Sequence, residues 1–545
     1  MIYLDLETDG LNPSVIWCVV TKHQDEQEYI VHTTPDTLSE ALNGSVSVVG
    51  HNLIGYDIPI LERLWGISVA PERIIDTLVL SRLSDPSKGG GHSLRNWGNR
   101  LGFPKGDHND WSCLSKEMID YCIQDVKVTE AVHQCLLQDM TEFSEESIKL
   151  EHQVQWIIHQ QEQNGWLLDQ RLCNELCATF KERMNEIEQD LQERFPPIVE
   201  QRFSDKTGKR LKDKVTVFNV GSRKQIAERL ASLGVAFEKE TEKGNPIVDE
   251  KVLANIDLPE ARVINEYLML QKRYAQVYSW LEHVKDDGRV HGRVISNGAV
   301  TGRMTHQSPN MAQVPSVHAT FGEECRSCWI VPEGKKLVGF DASGLELRML
   351  AHYMNDEDFT NVLLKEDIHT RNQLAAGLET RPQAKTFIYA FLYGAGDAKI
   401  GSIVGGTAKD GADLKQRFLR NTPSLENLRE RVTRAAGRGY LIGLDGRKLW
   451  IRSEHAALNT LLQAAGAIVM KKALVILDDY AKQWRIDYKF IGNIHDEVQA
   501  EILEPQAEKY GYLAVECLKA AGTSFNLRCP LDGEFKVGRN WAETH

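Results

Sequence analysis

Residues Leu337 to Met354 read LVGFDASGLELRMLAHYM, and this stretch decides the fold. Leu337-Val338-Gly339-Phe340 suits a buried apolar strand, and it runs straight into Asp341. An Ala-Ser-Gly turn follows, then a helix with Leu345, Met349 and Ala351 on its apolar side. A carboxylate at the end of a buried strand is costly unless a cation waits there. A helix N-cap is the competing use for such an aspartate, and this stretch alone leaves both open. A second stretch, FIGNIHDEVQAEI from Phe490 to Ile502, breaks at His495-Asp496-Glu497. It then alternates Val498, Ala500 and Ile502 with Gln499 and Glu501, the pattern of a hairpin with two acids at its tip. Two strand-end carboxylates brought together make a site for two divalent cations.

Between them lies Thr380 to Gly394, TRPQAKTFIYAFLYG. Thr380 suits an N-cap, Pro382 fits a first turn, and Gly394 can close the helix. Arg381, Lys385, Tyr389 and Tyr393 recur every four residues, so two cations and two aromatics share one face. Such a face can hold a triphosphate at its cationic half and a base or sugar at its aromatic half. A solvated helix accounts for the cations but leaves the paired tyrosines without a reason.

D-A-S-G-L-E-L-R, R-x-x-x-K-x-x-x-Y-x-x-x-Y-G and H-D-E together resemble motifs A, B and C of family A DNA polymerases. The resemblance is strongest to the replicative enzymes of T-seven-type phages and runs along nearly the whole chain. It implies that Asp341 and Asp496, with the Ala342 carbonyl, hold two Mg²⁺ ions, and that Lys385 acts as general acid. It places Glu346 beneath the incoming sugar to exclude a 2′-hydroxyl, and His369 and Arg381 on the phosphates. Arg303 in Thr301-Gly302-Arg303 and Arg326 in G-E-E-C-R match positions on the primer-template. Arg303 would reach the minor groove, where the acceptors are nearly sequence-blind yet sensitive to mispairing. His455, Asn459 and Gln463, one helical face, and His495 match positions along the nascent duplex.

The chain opens with Ile2 to Thr8, a strand whose period of two sets Asp5 beside Glu7. That pairing repels unless a cation bridges it, or unless both acids lie on the solvated face of an edge strand. Asp57 follows in H-N-L-I-G-Y-D, and Tyr121 and Asp125 share a helical face at i, i+4. D-x-E, D and Y-x-x-x-D resemble the tyrosine-bearing DEDD 3′–5′ exonucleases. The resemblance implies two divalent ions on Asp5, Glu7, Asp57 and Asp125, with Tyr121 orienting the attacking water.

From Ser147 to about Arg194 the text is helical, broken at Asn164-Gly165-Trp166, and long helical text returns from Glu260 to His283. SDKTGKRLKDK, Ser204 to Lys214, is a short lysine-rich loop that serves either as a solvated hairpin or as a patch following a DNA backbone.

The bulk numbers bound less. A chain of 545 residues needs several cores, and 42% hydrophobic with 26% charged is ordinary globular composition. No apolar run approaches membrane-spanning length, and Met1 to Asp5 is no signal peptide. Ten cysteines show no framework; Cys325-x-x-Cys328 lacks a second pair at zinc spacing, which points to free thiols. The net charge of −13 argues mildly against nucleic-acid binding, an objection that a local basic cleft removes.

The implied architecture is a multidomain α+β chain. An RNase H-like exonuclease domain (1–147) precedes a right-hand polymerase with a mostly helical thumb and fingers and an antiparallel palm sheet. The thumb takes 148–290, the palm 291–354 and 441–545, and the fingers 355–440. The implied function is template-directed DNA synthesis with proofreading, in phage genome replication within the host cytoplasm. The alternatives are a repair polymerase, or an exonuclease whose second module only binds DNA. Implied partners are primer-template DNA, dNTPs, a helicase-primase and a single-strand-binding protein, for a monomer that touches no membrane. T-seven-type enzymes carry a large thumb insertion that recruits thioredoxin; only the lysine-rich loop stands in its place here, so no thioredoxin clamp is expected.

Overall fold

The computed structural model describes residues 1–44, 46–237 and 240–545. Its first sheet has five strands: Ile2–Thr8, Ile16–His23, Tyr29–His32, Val48–Gly50 and Ile74–Asp76. In chain numbering they lie in the order 3-2-1-4-5, antiparallel on one side of the first strand and parallel on the other. Ile2–Thr8 is therefore the central strand, so Asp5 and Glu7 are not on a solvated edge. The helices Thr77–Ser84 and Lys116–Asp139 pack across this unit.

The helix Glu145–Asn164 leads away and ends at Gly165, whose φ of +60° favours a residue without Cβ. After a short strand at Trp166–Leu168, the long helices Gln170–Arg194 and Pro259–His283 pack on each other. Between them the lysine-rich segment is a β-hairpin, Ile198–Phe203 with Arg210–Thr216, exposed along almost its whole length.

The third unit is built on a four-stranded antiparallel sheet. Lys335–Ala342 lies between Glu497–Leu503 and Gly533–Gly538, and Tyr488–Ile494 flanks Glu497–Leu503. One face of this sheet (Val338, Phe340, Val498, Ala500, Ile502) packs in a core shared with Ala457–Gln483 and Ala507–Ser524. The sequence leaves Gln499 and Glu501 on a polar face, but both are fully buried. Arg289 reaches Glu501 with a bond of 2.7 Å, and Thr544 donates to Gln499 Oε1 at 2.9 Å, so the second face is covered by segments distant in sequence.

Six helices between Glu357 and Ala436 are inserted in the chain between the strand Lys335–Ala342 and the other strands of this sheet, and their buried faces join the same core. The stretch Glu454–Gln483 is long and apolar enough to cross a membrane, contrary to the sequence reading, but 83% of its apolar window is buried inside the fold. It is a core helix, apolar over most of its surface because most of it is packed, with exposed residues at its C-terminal end from Asp479 to Gln483.

Candidate active sites

In the palm sheet, the Ala342 N–H donates to Asp496 O at 3.3 Å, which stitches the turn after Asp341 to the hairpin turn at Asp496. Asp341 does not cap the helix Leu345–Met354; Gly344, at φ +59°, takes that position. The Asp341 carboxyl opens onto the cleft, yet its setting pushes it up to about 7. Burial among protein atoms contributes most, then the charges of Asp496 and Glu497. Only Asp496 stands at the hairpin tip, between His495 at φ +61° and the strand beginning at Glu497. Glu497 turns inward to Trp541, His545 and Arg326.

The helix Arg381–Leu392 opens on Thr380 with a reciprocal capping box to Gln383. Arg381 and Lys385 are exposed, Tyr389 is half-buried, and Tyr393 lies at the helix end with Gly394 beyond it at φ +72°. Tyr393 donates to Glu346 Oε2 at 2.8 Å and Arg303 Nη2 to Glu346 Oε1 at 3.0 Å, so this carboxylate is held between two segments. Tyr389 stacks on Tyr393, ring centroids 6.4 Å apart, and the His369 ring lies 6.2 Å away at a tilt of 50°. Arg381 is paired with Asp367, an acid the sequence reading did not weigh. Asn459 and Gln463 are partly exposed in the first turns of the helix Ala457–Gln483. His455 sits in the turn before it, exposed and against Gly394.

Arg326 departs from the expectation. It is 5% exposed, donates to Pro315 O at 2.9 Å and lies over the Trp541 ring at 4.2 Å. Its guanidinium lies 3.8 Å from Glu497, inside the fold.

The other acids gather at the first sheet around a cleft of about 450 Å³. Asp57 begins a short helix there, and Tyr121 and Asp125 come from Lys116–Asp139. Glu7, Asp57 and Asp125 are all buried. Burial, then mutual repulsion, lifts Asp5 well above the carboxylate range, and burial, then the charge of Asp125, carries Glu7 to about 9. Asp125 rises to about 6 on burial, with Lys105 pulling the other way. Its Oδ1 is buried without a partner among the described residues. Clustered oxygen donors that resist ionisation on their own fit hard divalent cations.

Three residues here escaped the sequence reading. Asp76 accepts from the N–H groups of Asn52, Ile54 and Leu78 at 2.8, 3.1 and 2.9 Å, shaping the loop that delivers Asp57. Cys122 donates to Asp5 O at 3.4 Å, and Lys105 pairs with Asp125. The Cys325–Cys328 pair also has a neighbour, since Cys173 stands beside Cys328; all ten cysteines are free.

The family model for DNA polymerase family A matches residues 180–543. The chain belongs to DNA polymerase family A. Its relatives include the DNA-directed DNA polymerases of Escherichia phage T7 and Enterobacteria phage T3, each 35% identical with all of both chains covered. DNA polymerase I of Aquifex aeolicus is 25% identical over 99% of this chain and 96% of its own. In fold, this family A chain is similar to the POL domain of Pol1 from M. smegmatis, solved with DNA primer-template and dNTP. There the TM-score is 0.82 at 19% identity, covering all of this chain and 96% of that one. Family A enzymes typically use divalent metal ions, in keeping with the oxygen donors of both clusters.

Proposed function

We propose that this chain is a template-directed DNA polymerase with a 3′–5′ proofreading exonuclease, serving phage genome replication in the host cytoplasm. The observation that carries the reading is Asp341 stitched to Asp496, with Glu346 of the following helix bonded to Tyr393 at the end of the Arg381–Leu392 helix. Asp341, Asp496 and the Ala342 carbonyl would hold two Mg²⁺ ions, which would supply a lowered pKa for the primer 3′-hydroxyl and positive charge for the departing pyrophosphate.

The chain's own groups do the rest. Arg381, Lys385 and His369 bind the triphosphate, and Lys385 protonates the leaving pyrophosphate. Tyr389 and Tyr393 pack against the incoming nucleotide, while Glu346, pinned by Arg303 and Tyr393, occupies the space a 2′-hydroxyl needs. Arg303, His455, Asn459, Gln463 and His495 follow the primer-template duplex. In the second cluster Asp5, Glu7, Asp57 and Asp125 would hold two divalent ions, and Tyr121 orients water for attack on the terminal phosphodiester.

Two assays test the reading. Asp341→Ala or Asp496→Ala should abolish primer extension while single-stranded DNA is still shortened from its 3′ end. Asp5→Ala with Glu7→Ala should do the reverse. One pair silencing both activities in a folded protein would refute the two-site assignment.

A further inference from the structure

The exonuclease reading employs four carboxylates and a phenol, yet an ammonium group is lodged among them. Lys105 comes from the loop between the helices Leu94–Leu101 and Lys116–Asp139. That loop is fastened on every side. Gly98 lets it pass close by, since a Cβ there would strike the Phe103 carbonyl. Gln124 Nε2 donates to Pro104 O at 3.0 Å, and Trp17 Nε1 donates to Trp111 O at 3.0 Å. The His108 and Trp111 rings each lie 5.8 Å from the Tyr121 ring. The loop so held puts Lys105 Nζ on Asp125 Oδ2 and 4.8 Å from the centre of the Tyr121 ring. Lys105 is 21% exposed and Asp125 2%.

Charge shows what such a lysine can do. Four carboxylates balance two divalent ions, but a phosphodiester and an attacking hydroxide each add a negative charge, and Lys105 is the cation bonded directly into the cage. In a dry site one fixed cation aimed at that excess is effective. We infer that Lys105 is an exchangeable counter-cation of the nuclease cage. It holds Asp125 when no divalent ion is bound, competes with the ions for that carboxylate, and once displaced sets its charge against the scissile phosphate. In the hydrolysis it assists, water oxygen bonds to phosphorus, the P–O3′ bond breaks and O3′ takes a proton from solvent. No electrons change hands, and Lys105 forms no covalent bond.

The inference rests on the exonuclease reading, and the test separates the two. In the full chain carrying Asp341→Ala and Asp496→Ala, Mn²⁺ titration followed by electron paramagnetic resonance reports the nuclease cage. Lys105→Met keeps the length and drops the charge. It should tighten Mn²⁺ binding about tenfold and, at saturating Mn²⁺, slow turnover of single-stranded DNA about tenfold. Lys105→Arg should restore the turnover. Lys105→Gln gives the same readings where the methionine variant does not fold. Mn²⁺ affinity unchanged or weaker without the charge would overturn the inference. A parent chain that binds Mn²⁺ in the cage but shortens no single strand would instead overturn the exonuclease reading.

Discussion

His545 Nδ1 lies 2.9 Å from Oε2 of Glu497, the residue paired across the sheet with Asp341. Trp541 Nε1 donates to the other oxygen of the same carboxylate at 2.5 Å. Burial alone would raise Glu497; the donors His545 and Trp541 and the charge of Arg326 bring it below its ordinary value. A negative charge is thereby kept next to Asp341 from inside the fold.

Trp541 is fully buried against Trp166 and Arg326. Trp541→Ala should cost about 3–5 kcal/mol through the cavity it leaves. Trp541→Phe keeps most of the packing but removes the N–H, and should cost about 1–3 kcal/mol. Urea unfolding curves of the three proteins measure both, and equal stability of Trp541→Phe and the parent would show that the bond to Glu497 contributes nothing.

Tyr389 has no protein partner for its hydroxyl among the described residues. It is free to satisfy polar groups that lose the 3′-hydroxyl when a dideoxynucleotide enters. An unpaired buried polar group costs about 1–3 kcal/mol, roughly ten- to a hundredfold in rate. The enzyme should therefore accept dideoxynucleotides nearly as well as deoxynucleotides, and Tyr389→Phe should restore discrimination. The ratio of incorporation efficiencies decides; strong discrimination in the unmodified protein would sink the idea.

Glu151 Oε1 receives both Arg447 Nη1 and Lys471 Nζ at 2.6 Å, all three side chains nearly inaccessible. Arg447 is also bound to Asp445. Glu151→Gln leaves two buried cations facing one carboxylate and should cost about 3–5 kcal/mol. Thermal unfolding should show the loss, and Glu151→Gln with Lys471→Met should recover part of it.

His133 is buried, bonded through Nδ1 to Tyr3 OH at 3.1 Å, and burial brings its pKa down to about 4. An unfolded imidazole titrates near 6.5, so between about pH 6.5 and 4 the unfolded chain takes up a proton that the folded one refuses. Stability falls as pH drops through that window and is flat above it. His133→Asn should flatten this part of the stability–pH curve, and an unaltered slope would show that His133 does not carry it.

The meeting of Asp341 with Asp496 and the shared face from Arg381 to Tyr393 were legible because both follow from the ends and the period of regular elements. Strand-end Asp341 and Asp496 and the four-residue spacing of Arg381 to Tyr393 leave a periodic signal. The burial of Arg326 was not legible because it depends on Trp541, 215 positions later, whose ring covers it. Glu501 gave the same difficulty: a polar residue at a polar register reads as solvent-facing until Arg289 arrives from 212 positions away. Lys105 and Asp76 left no signal, since the loop and the helix cap that hold them have no period to betray a neighbour.

The helix Glu145–Asn164 bears on how the two clusters work together. Glu151 is locked to Arg447 and Lys471 on one side, while the next residue, His152, accepts the Asp76 N–H at 3.0 Å on the other. Adjacent residues of one helix thus bond to both parts of the molecule, so any change in the separation of the clusters would have to break one of these contacts. On the two-activity reading, a primer end would reach the second cluster by unzipping and making the crossing itself, with the helix contacts kept. The choice between lengthening and trimming is then a race whose clock is the fraying of the last base pairs, so a mispair shortens its own lifetime by being loose.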